Sequence, residues 1–183
     1  MLLAVALPVR PARATPALEA LMQDFARVPR SRAAFTEEKA IPELDLPLLS
    51  RGTLSWEAPD RLEKHTTSPI EEVVRIAGDR LTYERPDRDI HRSFSLDEQP
   101  EMRALAEAIR GTLAGDLATL RQHYRIDFEG SADGPWRMIL TPLALRVRLA
   151  VQSILLTGHG TQVRGVDTEG GGGITRMRII PSP

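Results

Sequence analysis

From position 31 to 96 the chain is cut by turn residues into six short segments, and no gap between them is long enough for a crossover. The segments are 31–41, 48–57, 61–67, 70–77, 80–84 and 89–96. Pro59-Asp60, Ser68-Pro69, Gly78-Asp79 and Pro86-Asp87 separate the last five, and each pair is of a type that reverses the chain. Parallel strands need a connection of roughly a dozen residues or more, so strands this closely joined run antiparallel. The segment thus predicts a six-stranded meander.

The period then changes. Over 99–114 the apolar residues Met102, Leu105, Ala106, Ile109 and Leu113 recur at spacings of three and four, which is one stripe of a helix. Arg103, Glu107 and Arg110 lie largely off that stripe. Gly115-Asp116 breaks the helix, and Asp116 is placed to cap a short second one with Leu117 and Leu120 on its apolar edge. Strand signals resume over 123–129, 135–141, 149–157, 161–168 and 174–180. The last alternates, with Thr175, Met177 and Ile179 on one side and Arg176 and Arg178 on the other. Ahead of the first strand, Leu18, Leu21, Met22, Phe25 and Val28 predict a helix that Thr15 caps, with Pro16 in its first turn and Pro29 at its end. The expectation is a mainly β (α+β) fold of about eleven antiparallel strands, with the N-terminal helix and the helical insert as the only cover for its apolar face. No repeat or linker divides the chain, so 15–183 is expected to be a single domain.

The segment 1–14 is expected to be the remnant of a signal peptide. Leu2 to Leu7 is an apolar run, and Ala12-Arg13-Ala14 is an A-x-A cleavage pattern. The basic residue that should precede the run is missing, and a frayed apolar tail is the other reading. A net charge of −1 offers no bulk attraction for nucleic acid. The absence of cysteine removes disulfides, thiolate metal sites and a lipid-bearing N-terminal cysteine.

Catalytic chemistry finds little support. His65, His91, His123 and His159 show no metal-ligand spacing, and no metal or cofactor is expected. Gly170 to Gly173 lacks the Lys-Ser/Thr of a phosphate loop. Glu37-Glu38 and Glu71-Glu72 are adjacent on strands, so each pair splits across two faces. Asp89 and His91 share a strand face and are the one weak dyad. The chain is therefore not expected to be an enzyme. Aromatic residues make up 4% of the chain, so a pocket lined by it would be aliphatic and would suit acyl chains better than bases or sugars. The insert stripe reads equally as ordinary core.

Four motifs follow in a telling order. Ala33-Ala34-Phe35-Thr36-Glu37-Glu38-Lys39 resembles the opening strand of LolA-like outer-membrane lipoprotein carriers. Gly52-Thr53-Leu54-Ser55-Trp56 through Pro59 to Leu62 resembles their strand-turn-strand. Pro69 through Leu81-Thr82-Tyr83 is similar to their next hairpin, with Gly78-Asp79 inverted. Trp136 to Pro142 resembles a later strand. The resemblance spans about 17–180 and implies an open half-barrel closed by helices. It also implies a periplasmic, monomeric carrier that takes acylated lipoproteins from an inner-membrane exporter to an outer-membrane receptor. The missing cysteine favours the carrier over the lipid-anchored receptor. One departure stands out: the family's lid-holding arginine, just before the proline of the second turn, is Ala58 here, with Arg61 three residues on. That puts lipoprotein as the cargo in question and leaves a carrier or sensor of another lipid, pigment or glycolipid as the alternative. The residues expected to meet a lipid are Leu54, Trp56, Leu62, Leu81, Phe94, Met102, Leu105, Ile109, Leu113, Ile139 and Val151. A regulator domain, an enzyme using Asp89 and His91 on a bound lipid, and a solid structural module remain as competing expectations.

Overall fold

This computed structural model describes residues 16–182. The leader expected over 1–14 and the Thr15 cap lie outside the described residues. The elements are α1 (Pro16–Phe25), β1 (Arg30–Ala40), β2 (Leu48–Glu57), β3 (Arg61–Ser68), β4 (Glu72–Ala77), β5 (Arg80–Arg85) and β6 (Ile90–Ser95). There follow α2 (Pro100–Leu113), α3 (Leu117–His123), β7 (Tyr124–Gly130), β8 (Pro135–Pro142), α4 (Leu145–Arg148), β9 (Val151–His159), β10 (Gln162–Gly170) and β11 (Gly173–Pro181).

All eleven strands form one antiparallel sheet in the order β6-β5-β4-β3-β2-β1-β11-β10-β9-β8-β7. Two meanders, β1–β6 and β7–β11, are joined where β1 pairs with β11, with Phe35 opposite Ile179 and Glu37 opposite Met177. The edges β6 and β7 do not pair with each other, so the sheet stays open. The chain between those edges is the helical insert, which must pass from one edge to the other. Laid flat, ten strand spacings would separate them by roughly 48 Å. The helices α2 and α3 supply only about 30 Å of length. A twisted, curled sheet shortens the path, and α2 indeed meets both the 3-10 turn Leu96–Glu98 beside β6 and strand β9.

The curl gives the sheet an inner face, and the strands alternate accordingly. In β8 the inward residues Trp136, Met138, Leu140 and Pro142 are buried, while Arg137 and Ile139 between them are not. The packed interior falls into two clusters. The larger joins Leu18, Leu21, Met22 and Phe25 of α1 to Trp136, Met138, Leu140, Ile154 and Leu156 of the sheet. Phe25 meets Trp136 edge to face at 6.0 Å between ring centroids, the favoured aromatic geometry. The Trp136 indole N–H donates to the Gly160 carbonyl at 2.8 Å. Gly158 is required beside that ring, because a Cβ there would lie 2.3 Å from Trp136 Cζ2. The smaller cluster joins Ile76, Leu81, Leu96 and Ala106, with Leu62, Val74, Tyr83 and Phe94 packed around them.

Strand and helix positions follow the sequence expectations with local differences. His123 ends α3 instead of opening β7. Strand β9 begins at Val151, two residues after the expected start at 149, and the single turn α4 precedes it. One turn is too short for a helical period to register in sequence. The Asp116 cap forms: its carboxylate accepts from the Thr119 N–H at 3.0 Å and the Thr119 hydroxyl at 2.6 Å. Gly115 before it takes φ +69°, and a Cβ there would fall 2.1 Å from the Met22 carbonyl oxygen. So the end of α2 presses directly on α1.

The hydrogen bonds from Thr119 hold the Asp116 carboxyl below its ordinary value. Its contribution is therefore complete above the unfolded value near ~4 and fades as pH falls through the depressed folded value. Asp116→Ala is expected to cost about 1 kcal/mol of unfolding free energy at neutral pH. Denaturant titrations of wild type and variant should converge in strongly acidic solution. An equal gap at both pH values would contradict the cap's role.

Candidate functional site

The inner face between the two clusters is built by β1, β2 and β3. Phe35 is buried at its centre, and Ala33 and Glu37 share its side of β1. Register carries this side to Gly52, Leu54 and Trp56 on β2 and then to Thr66, Lys64 and Leu62 on β3. One half of the strip is apolar and the other is not. Lys64 Nζ bonds both carboxylate oxygens of Glu37 at 2.8 and 2.7 Å. Ser50 donates its hydroxyl to the same carboxylate at 3.2 Å. The Lys64 ammonium also stands 5.0 Å from the centre of the Phe35 ring, within cation–π reach. The Glu37 side chain is 15% exposed and that of Lys64 30%. A pair so far removed from water contributes little net stability, but removing one partner strands the other.

A second polar group adjoins it. The Tyr83 hydroxyl donates to Glu72 at 2.8 Å. Partial burial first, and then that hydrogen bond, hold the phenol above its ordinary value. Trp56 is buried beside Leu62, and its indole N–H has no acceptor among the described residues.

The insert helix α2 meets the 3-10 turn after β6, α1, β9 and α4. Ala106 belongs to the smaller cluster and Ala108 to the larger, so α2 bridges the two. At about 100° per residue, Met102, Ile109 and Leu113 occupy the arc of α2 between those flanks. That arc is not sealed: Met102 is 37% exposed, and Ile109 and Leu113 are half-buried. Leu105 and Leu113 pack against the larger cluster. Met102, Ile109 and Leu54 join neither cluster among the described residues.

The other predicted residues divide as follows. Leu62, Leu81 and Phe94 are part of the smaller cluster. Val151 is buried in the larger. Ile139 lies opposite Asp127 and Leu155, on the face away from Met138 and Leu140. The structure does not bring it to the inner face, because strand alternation turns it outward. His91 and Asp89 stand 3.8 Å apart, with the Asp89 side chain fully exposed. His91 sits between the inward residues Ile90 and Arg92, so the pair lies away from the strip.

Arg61 does not take the place of a lid-holding arginine. It is exposed and alternates with the inward Leu62. The link between sheet and insert instead runs from arginines of α2 to the β4–β5 turn. Arg110 donates to the Gly78 carbonyl at 2.6 Å. Arg103 bonds Asp79, Asp97 at 2.6 Å and Glu107 at 2.9 Å. Burial opposes its charge, yet the bond to Glu107 and the nearby Asp97, Glu107 and Asp79 charges raise its affinity for the proton. These residues and the Glu37–Lys64 pair were not expected from sequence. Strand parity was the available signal for the pair, since Glu37 shares the side of Phe35 and Lys64 that of Leu62.

The strip thus carries Leu54, Trp56 and Leu62 along one half and the Glu37–Lys64–Ser50 group along the other. Among the described residues no three His, Asp or Glu side chains gather as a metal site. Among solved structures, a LolA superfamily protein from Nitrosomonas europaea is similar at 15% identity and a TM-score of 0.47, over 91% of this chain and 92% of that one. The lipoprotein LppX of Mycobacterium tuberculosis is similar at 13% identity and a TM-score of 0.46, over 91% and 94%. No curated protein matches the chain. The family model described as outer membrane lipoprotein carrier protein LolA-like matches residues 11–179. With the match running through nearly every described element, the chain belongs to the LolA-like family of outer membrane lipoprotein carrier proteins.

Proposed function

We propose that this protein is a periplasmic, monomeric carrier that shelters acyl chains between the inner face of its sheet and α2. It would receive an acylated lipoprotein from an inner-membrane exporter and pass it to an outer-membrane receptor, without catalysing a reaction. The observation that carries this reading is the unsealed arc of α2. Met102 and Ile109 stay partly exposed and join neither cluster, as does Leu54 of the strip. An ordinary packed helix would bury that stripe fully.

The energetics fit reversible carriage. Burial contributes about 0.8 kcal/mol per methylene, so a chain of about sixteen carbons supplies on the order of 12 kcal/mol gross. Displacing α2 and ordering the chain offset part of that. The Glu37–Lys64–Ser50 group lies where the polar end of a bound amphiphile would find partners. Handover would run down an affinity gradient between the partners.

Two tests follow from this. Ile109→Glu places a charge on that arc of α2 and should reduce bound lipid at least ~10-fold, with an unchanged circular dichroism spectrum. Mass spectrometry of the natively purified protein identifies the cargo in the wild type and measures its loss in the variant. Equal loading in a folded variant would remove α2 from the site. In the second test, Arg103→Ala with Arg110→Ala frees α2 from the β4–β5 turn. It should lower stability by about 1–2 kcal/mol and speed amide exchange in α2 selectively. Uniform exchange changes across the sheet would count against a hinge there.

A further inference from the structure

Most of the large apolar side chains that stand exposed among the described residues gather at one end of the sheet. Antiparallel order sends the β1–β2, β3–β4, β8–β9 and β10–β11 connections to that end. The register shows it: Lys39 lies opposite Leu48, Ala40 opposite Ile174, and Gly170 opposite both Gly173 and Val151. The β1–β2 connection carries Leu44 and Leu46, 47% and 77% exposed. The β8–β9 connection carries Leu143, Leu145 and Leu149, at 52%, 69% and 75%. Four strand spacings separate β2 from β9, so the two connections stand roughly 20 Å apart along the sheet.

The β8–β9 connection has the chemistry of an anchor. Leu145 and Leu149 are four residues apart, at the start of α4 and just after its end, so they share one side. Arg146 and Arg148 flank that side, and both are exposed. No acidic residue occurs between Asp133 and Asp167. Leucines flanked by guanidinium groups match the boundary of an anionic bilayer, where the apolar side enters the acyl region and the arginines meet lipid phosphates. Separate leucine tips on two connections need no shape-matched groove, which a lipid surface does not offer and a folded partner would. In the β1–β2 connection Glu43 and Asp45 flank Leu44 and oppose an anionic surface, so it serves as the lesser contact.

We propose that this end of the sheet docks reversibly on anionic lipid bilayers, with Leu145 and Leu149 inserted and Arg146 and Arg148 on the headgroups. The proposal goes beyond cargo carriage and stands without it, since a chain that carried no lipid would dock equally.

The test is co-sedimentation of the chain with vesicles of phosphatidylglycerol and phosphatidylcholine, compared with vesicles of phosphatidylcholine alone. Wild type should bind the anionic vesicles more strongly, and added salt should weaken that binding. Leu145→Asp with Leu149→Asp should lower the partition coefficient at least ~10-fold. Arg146→Gln with Arg148→Gln should erase most of the preference for phosphatidylglycerol. All variants share residues 1–15, so the comparison isolates the β8–β9 connection, and thermal melting verifies that each is folded. Absence of wild-type binding, or leucine variants that bind like wild type, overturns the proposal. So does self-association in sedimentation velocity that the leucine variants abolish while no vesicle binding occurs, since the occupant is then a second copy. Lipid loading measured on the same variants keeps the two readings apart: lost docking with retained loading supports a separate docking end, and unloaded wild type that still docks leaves only the carrier reading refuted.

Discussion

Antiparallel pairing of β1 with β11 joins the first and last strands of the chain, and the remaining architecture depends on it. Phe35 and Ile179 are neighbours in space although nearly the whole sequence separates them. With those strands in the middle, the two meanders grow outward and leave β6 and β7 as distant edges. The chain must then travel from one edge to the other, and it does so as α2 and α3. The helical cover is thus a consequence of topology. A sheet that closed β6 onto β7 would remove both the need for the crossing and the face that the crossing overlies.

That crossing explains why the interior has two clusters instead of one. The larger is sealed by α1, whose Leu18, Leu21, Met22 and Phe25 are all at most 2% exposed. The smaller is sealed by Leu96 and Ala106 near the start of the insert. The helix α2 touches both through small residues. Ala104, Ala106, Ala108 and Gly111 are buried, and the Tyr124 hydroxyl donates to the Ala104 carbonyl. Small side chains allow close approach at the flanks, while the long ones at Met102 and Ile109 stay partly exposed. Burial raises the Tyr124 phenol, so it stays neutral and keeps that donor at physiological pH.

Much of this was legible in the sequence, and the misses have physical causes. Turn pairs located nearly every strand because antiparallel connections are short and demand special residues. The change of period at 99 located α2, and Asp116 located α3. Side-chain direction was the weaker point. Ile139 is apolar and was placed on the inner face, although Trp136, Met138 and Leu140 already fix the opposite parity in β8. Glu37 and Lys64 were passed over because charged residues are ordinarily outside, yet they share the parity of Phe35 and Leu62. The arginine link was hidden for a different reason. It joins α2 to a turn more than twenty residues earlier, and no local spacing encodes such a contact. The family pattern placed an arginine on the sheet, whereas here Arg103 and Arg110 project from the helix.

The polar group within the inner face also bears on the apolar residues beside it. A continuous aliphatic surface of that kind would favour collapse of α2 onto the sheet, or association with another chain. The Glu37–Lys64 pair resists both, since covering it further would remove its remaining contact with water without adding a partner. The Lys64 ammonium also stands over the Phe35 ring, so its charge meets both the carboxylate and the aromatic face. The strip is therefore polarised along its strands, apolar toward Trp56 and Leu62 and ion-paired toward Glu37 and Ser50.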